Sequence, residues 1–185
     1  MGIISVLIIF VCICVDNMVS ANMSSMKMES ENRSVFSIKM ALFFAGFNGL
    51  FFGLGYLISI LFFRDWVYLA HNWVAFAFLL LLGIKFMLES IEKSPSFSNV
   101  DAQDTGNLVK VSALIGLNSF LVGYAVETMD TSCLPQLVFL LLITFGMTLF
   151  GFHLGSPTSK TIASKKVEML AGLILIVMAI RLILV

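Results

Sequence analysis

The sequence has few charged side chains. Only 12% of its 185 residues are Asp, Glu, Lys or Arg, about half the share that a soluble domain carries. Its 11 basic and 11 acidic side chains balance, so it lacks the basic excess that binds nucleic acid. Three cysteines, two of them inside an apolar run, do not make a disulfide framework. Without a Walker motif or a nucleophile constellation, the chain is expected to be neither an enzyme nor an ATP-driven pump.

Long apolar runs take the place of the missing charge. The chain is 59% hydrophobic, with a mean hydropathy of +1.03. Runs of about 20 apolar residues can cross the bilayer as helices, which satisfy their own backbone hydrogen bonds in lipid. The runs lack the alternation of transmembrane β-strands. The sequence therefore predicts an all-α integral membrane protein with six transmembrane helices, at about 3–22, 39–63, 69–88, 108–126, 134–154 and 167–185.

The first run also has some features of a cleaved signal peptide. Residues 3–15 form an apolar core, and Val19-Ser20-Ala21 is a passable cleavage site. No basic residue precedes this run, however, and Asp16 follows it directly, both of which are atypical of signal peptides. We therefore expect the segment to be retained as the first transmembrane helix, with the mature chain starting near Met1.

The distribution of Lys and Arg predicts the orientation. With the N-terminus outside, only Arg64 and Arg181 fall on the outward side, and all the other basic residues face inward. Cytoplasmic loops carry such an excess, so we expect a multi-pass protein of the bacterial cytoplasmic (inner) membrane with both termini outside. The inward residues are Lys27, Arg33, Lys39, Lys85, Lys93, Lys110, Lys160, Lys165 and Lys166.

The two halves of the chain resemble each other. Gly46-Phe47-Asn48 matches Gly146-Met147-Thr148, and Val15-Asp16-Asn17 matches Leu117-Asn118-Ser119. Three helices per half is an odd number, so the second copy would be inserted upside down. Such inverted repeats are typical of transporters, with the substrate site near the midplane. We predict a first three-helix repeat at 1–90, a cytoplasmic linker at 91–107 and a second repeat at 108–185, within one membrane domain.

Polar residues inside the predicted helices are the candidate functional residues. Asp16 is the leading one, because a charge inside a membrane helix is costly and usually functional. Carboxylate, amide and hydroxyl oxygens suit hard divalent cations such as Mn²⁺ or Mg²⁺. For the neutral residues, hydrogen bonding between helices is the alternative role. The predicted metal site comprises Asp16, Asn17, Asn48, Asn118 and Ser119.

Two further charged residues are assigned structural positions. Lys85 lies near the end of the third helix, where its long side chain is expected to reach the membrane surface. Glu89 belongs to an acidic stretch that is expected to form part of a solvated linker.

Several stretches are similar to the small bacterial manganese efflux pumps of the MntP type. Beyond Val15-Asp16 and the start of the second helix at Lys39, they are residues 71–76, 79–85 and 165–173. The resemblance spans essentially the whole chain. It implies two three-helix repeats that export Mn²⁺ as a substrate, without ATP and without a resident cofactor. The partners it implies are a divalent metal ion and the lipid bilayer, with no nucleic acid.

The chain departs from this family at three positions. The family has acidic residues in the first, second and fourth helices, whereas in this chain only Asp16 is acidic and Asn48 and Asn118 take the other places. Phe52 stands where the family has a proline. Loss of two carboxylates would leave a divalent cation poorly compensated in a low dielectric. Two alternatives therefore stand beside Mn²⁺ export: transport of another ion or small solute on the same scaffold, and a non-transporting membrane protein that assembles with a partner or acts in regulation.

Overall fold

The computed structural model describes residues 3–26, 33–63, 68–91, 104–127, 132–155 and 162–184, and it confirms the all-α class. These residues form six helices and no strand. Each helix is long and apolar enough to cross a membrane. The helices are α1 (Ile3–Met26), α2 (Arg33–Phe63), α3 (Tyr68–Ile91), α4 (Thr105–Glu127), α5 (Cys133–Leu154) and α6 (Ile162–Leu184).

Several helices extend beyond the apolar spans that predicted them. α2 begins at Arg33 rather than at Lys39, and α3 continues through Glu89 to Ile91. Since α4 begins at Thr105, residues at both ends of the predicted linker are helical. Hydropathy marks only the apolar part of a helix, whereas backbone hydrogen bonding continues into its polar flanks. Residues 92–103 of the linker lie outside the described residues, as do Met1, Lys27, Arg64, Lys93, Lys160 and Val185.

Two of the six helices form the centre of the bundle. In their apolar spans, 72% of the α1 residues and 61% of the α4 residues are buried, against 28% to 39% for the other four helices. The outer helices expose large apolar side chains such as Leu42, Leu81, Leu142 and Leu170, which lipid tails can cover. Polar groups on α1 and α4 are therefore shielded from lipid by the surrounding helices.

The main helix contacts follow a regular scheme. α2 packs against α4, and α1 packs against α5. α3 packs against α6, and α2 also packs against α5. Smaller contacts join α3 to α4 and α1 to α6. Each of these pairs has a counterpart when α1, α2 and α3 exchange places with α4, α5 and α6.

Glycines bring the backbones of α2 and α4 into direct contact. A Cβ atom added at Gly55 would collide with the carbonyl oxygen of Phe120, and one added at Gly123 would collide with that of Phe52. Small residues permit such close approach between membrane helices. The contact holds α4 at a fixed position against α2.

The α1–α5 pair is built in the same way. A Cβ atom at Gly151 would collide with the carbonyl oxygen of Met18, and one at Gly155 would lie 2.6 Å from the carbonyl oxygen of Asn22. The guanidinium of Arg33 donates a hydrogen bond to the carbonyl oxygen of Gly155, directly after the end of α5. A cation at a helix C-terminus is favourable, because the last carbonyls lack partners within the helix.

Candidate cation site

All five residues predicted to bind a metal are buried in the bundle. None is more than 4% exposed, and they lie on α1, α2 and α4. Their side chains form two separate hydrogen-bonded groups, one charged and one neutral.

The first group, the charged cluster, consists of Asp16, Asn118 and Lys85. The Nδ2 atom of Asn118 donates to Oδ2 of Asp16 at 2.9 Å. The Oδ1 atom of Asn118 accepts from the Lys85 ammonium, also at 2.9 Å. The Nζ atom of Lys85 lies 3.9 Å from Oδ2 of Asp16. An amide both donates and accepts, so Asn118 links the two opposite charges.

The second group, the amide cluster, consists of Asn17, Asn48 and Ser119 and carries no charge. The Nδ2 atom of Asn48 donates to Oδ1 of Asn17 at 3.1 Å and to the backbone oxygen of Phe44 at 2.8 Å. The hydroxyl of Ser119 donates to Oδ1 of Asn48. The three side chains thereby join α1, α2 and α4.

Helix geometry explains why there are two clusters. Successive residues of an α-helix point about 100° apart, so Asp16 and Asn17 face different neighbours of α1. The same holds for Asn118 and Ser119 on α4. Each central helix thus contributes one side chain to each cluster. The third member comes from α3 in the charged cluster and from α2 in the amide cluster.

Lys85 has two partners that the sequence did not indicate. Its ammonium points to Asp16 and Asn118, and its side chain is 38% exposed. Its Nζ atom also lies 3.6 Å from Oε1 of Glu89, one turn further along α3. Depth in the membrane gives the height of a residue but not the direction in which it points, and the charge of Asp16 attracts the ammonium. The missed signal was the spacing of Lys85 and Glu89, which places opposite charges on one helix face.

The hydroxyl oxygen of Ser20 is a further buried polar atom near Asp16 in the sequence. The hydroxyl of Ser20, one turn after Asp16 on α1, is 2% exposed and has no hydrogen-bond partner in the described parts of the chain. Since buried hydroxyls are usually paired, this oxygen fits a role as a ligand for an ion or a water molecule.

The donor set narrows the kind of cation that the site could hold. Within the described ranges, no three His, Cys, Asp or Glu side chains group as a metal site. The buried thiol of Cys14 pairs with Oγ1 of Thr144 on α5, at 3.2 Å. One carboxylate with amide and hydroxyl oxygens remains, and such oxygens fit a hard cation better than a soft one.

Comparison with known proteins points to one family of membrane transporters. Residues 31–183 match the family described as "Putative manganese efflux pump". This match includes Asn48, Lys85, Asn118 and Ser119, and it begins after α1.

Curated proteins named manganese efflux pump MntP, each marked putative, are similar over most of their length. The one from Crocosphaera subtropica is 28% identical over 76% of this chain and 74% of its own. The one from Acetivibrio thermocellus is 27% identical over 85% and 77%. The one named MntP 2 from Clostridium botulinum is 23% identical over 98% of this chain and 94% of its own, a span long enough to include α1. No solved structure matches the chain significantly.

Proposed function

Because the chain belongs to the manganese efflux pump family, we propose that it is a secondary transporter that exports a divalent metal cation, Mn²⁺, as its substrate. Six apolar helices make it a multi-pass membrane protein. Its membrane is the bacterial cytoplasmic membrane, with both termini outside, since loops rich in Lys and Arg stay in the cytoplasm.

The observation that carries this proposal is the buried carboxylate of Asp16. It lies at the centre of the bundle, on the most buried helix, and it is bonded to an amide of the other central helix. A buried carboxylate is costly unless a cation compensates it, and in the described structure the Lys85 ammonium lies 3.9 Å away. A transported cation can provide that compensation in place of the ammonium.

The proposed cycle begins when a cation from the cytoplasm reaches Asp16. Oxygens of Asn17, Asn48, Asn118 and Ser119 complete its coordination, which requires the amides to turn their oxygens to the ion. Protonation of Asp16 then helps to release the ion on the outer side. The driving force is the proton gradient or the membrane potential, the latter worth about 2.3 kcal/mol per charge per 100 mV.

The two halves of the chain act in this proposal as inverted repeats, with boundaries at 1–90, 91–107 and 108–185. Two observations support the relation. The main helix contacts keep their pattern when the halves are exchanged. Asp16 and Asn118, which match in the repeat alignment, are hydrogen-bonded to each other.

A second candidate function is transport of a monovalent cation or a small polar solute on the same scaffold. The charged cluster favours it, because Asp16 and Lys85 together are electrically neutral. A site with a single carboxylate suits a single positive charge better than two. This function predicts that the wild-type protein leaves cellular manganese unchanged.

The test compares two carboxylates of this chain. Asp16→Asn keeps size and hydrogen bonding but removes the buried charge, so we expect it to abolish manganese export. Asp104→Asn is the matched control, because Asp104 is exposed at the start of α4. The measurement is the content of Mn, Mg, Fe, Co and Zn in cells that lack their own exporter. Normal manganese export by Asp16→Asn, at equal abundance in the membrane, would contradict the proposal.

A further inference from the structure

Lys85 carries the inference, which rests on the proposed function. We propose that the ammonium of Lys85 is a tethered cation that competes with the transported ion for Asp16. When the ion binds, the ammonium withdraws to Glu89. Lys85 is thus a residue that sets the affinity and release of the ion without being a ligand of it.

The geometry places the ammonium between two carboxylates. Its Nζ atom lies 3.9 Å from Oδ2 of Asp16 and 3.6 Å from Oε1 of Glu89. The side chain of Asp16 is 5% exposed, whereas that of Glu89 is 21% exposed. A lysine carries a compact charge on a flexible stem of four carbons. Because the ammonium already lies within reach of both carboxylates, rotation of that stem can take the charge away from Asp16 and Asn118 while it stays beside Glu89.

Electrostatics makes the two positions exclusive. A divalent cation bound to Asp16 would lie only a few ångströms from the ammonium, and like charges at such a distance repel strongly in a weakly polar interior. The ion and the ammonium therefore cannot both occupy the vicinity of Asp16. Glu89 offers the displaced ammonium a negative partner within its present reach.

This exchange would serve the transport cycle in two ways. Between ions, Lys85 compensates a buried charge that would otherwise destabilise the bundle. While Asp16 is still ionised, competition from the ammonium lowers the affinity of the site for the departing ion, and protonation of Asp16 then completes the release. A conducting site must bind its ion weakly enough to let it leave.

The experiment measures Mn²⁺ affinity on the purified full-length protein. Lys85→Met should bind Mn²⁺ about tenfold tighter than the wild type and export it more slowly, because the competitor is gone. Lys85→Arg, which keeps the charge, should stay close to the wild type. Lys39→Met is the matched control, because Lys39 donates to Oγ1 of Thr105 at 3.0 Å in an exposed hydrogen bond and should not affect affinity.

A variant of Glu89 should change the Mn²⁺ affinity in the opposite direction. Glu89→Gln should weaken Mn²⁺ binding several-fold, because the ammonium then has a poorer alternative to Asp16. In the Lys85→Met background the same substitution should change nothing, since Glu89 acts through Lys85. An equal loss in both backgrounds would mean that Glu89 attracts the ion directly, and it would overturn the withdrawal step.

The outcomes separate this inference from the proposed function. Equal Mn²⁺ binding by the wild type and by Asp16→Asn contradicts the proposed function. If Asp16→Asn alone loses binding and Lys85→Met binds no tighter than the wild type, the competition is wrong. Should Lys85→Met fold poorly, Lys85→Gln makes the same test with a polar side chain. Tighter binding by that variant supports the inference, and unchanged or weaker binding overturns it.

Discussion

The charged cluster and the amide cluster are built from neighbouring residues of the same two helices, yet they differ in what they can do. In the charged cluster, an ammonium with a second partner holds a buried carboxylate. In the amide cluster, the side-chain oxygens of Asn17 and Asn48 both already accept hydrogen bonds. In the proposed exchange the charged cluster replaces one cation with another, whereas the amide cluster has no cation to give up and only hydrogen bonds to break.

The two clusters also differ in how much stability is lost when one of their interactions is broken. A neutral hydrogen bond contributes about 0.5–1.5 kcal/mol to stability. A buried charge that loses its partner costs about 3–5 kcal/mol. The charged cluster therefore responds strongly to any change in charge, and the amide cluster contributes mainly by holding α1, α2 and α4 together.

The largest expected effect comes from adding a carboxylate to each cluster in turn. Asn48→Asp places a negative charge in the neutral cluster and should lower the free energy of unfolding by about 3–5 kcal/mol. Asn118→Asp removes the amide that donates to Asp16 and sets two carboxylates against each other, but it also places the new charge beside the Lys85 ammonium. Because that ammonium offsets part of the repulsion, this substitution should cost less than Asn48→Asp. Thermal unfolding in detergent, with and without Mn²⁺, measures both. Mn²⁺ should stabilise either variant more than the wild type, and equal destabilisation by the two substitutions would contradict the distinction between the clusters.

A smaller effect is expected from the helix contact on which both clusters depend. Gly123→Ala forces a methyl group against the carbonyl oxygen of Phe52 and should cost about 1–3 kcal/mol, as overpacking does. By moving α4 it should also reduce Mn²⁺ export. Gly46→Ala is the matched control, because a Cβ atom there has nothing within 4 Å. Membrane abundance and unfolding temperature are the measurements, and equal stability of the two variants would rule out a close α2–α4 contact.

The smallest effect tests a single bond of the amide cluster. Ser119→Ala removes the donor to Asn48 and should cost about 1 kcal/mol, with a reduction of export of no more than a few-fold. Ser112→Ala is the control on the same helix, because Ser112 is buried but donates to the backbone oxygen of Leu108. Unfolding and export are measured side by side. A complete loss of export in Ser119→Ala alone would transfer the central role in ion binding from Asp16 to the amide cluster.

The number and approximate limits of the helices were predictable, because lipid imposes a length and an apolar composition on each span. The ends were less so: α2 starts at Arg33 and α3 passes through Glu89, since polar residues continue a helix beyond the hydrocarbon core. The packing of α2 against α4 and of α1 against α5 depends on which face each glycine occupies. Hydropathy does not contain that information.

The burial of the candidate residues was predictable where a residue stood out against its surroundings. Asp16 is an acidic residue in an apolar run, and the repeat alignment led from it to Asn118. The partners of Lys85 were not predictable, because a lysine near a helix end can reach toward the membrane surface or turn inward. Which one it takes depends on how α3 is rotated about its axis, and that is decided by packing against α4 and α6.

Glycine contacts hold α2 so close to α4, and α1 so close to α5, that we expect each pair to move as one rigid unit. Where two backbones touch, as at Gly123 and Gly151, no side chain lies between them that could repack to let one helix slide past the other. Each unit joins a helix from before the linker to one from after it, so rigid bodies cut across the two halves of the sequence. The bonds from Asp16 to Asn118 and from Asn17 to Asn48 span the seam between these units. In the proposed cycle, opening that seam would break the same bonds that an arriving ion replaces, which would couple ion binding and movement at the same atoms.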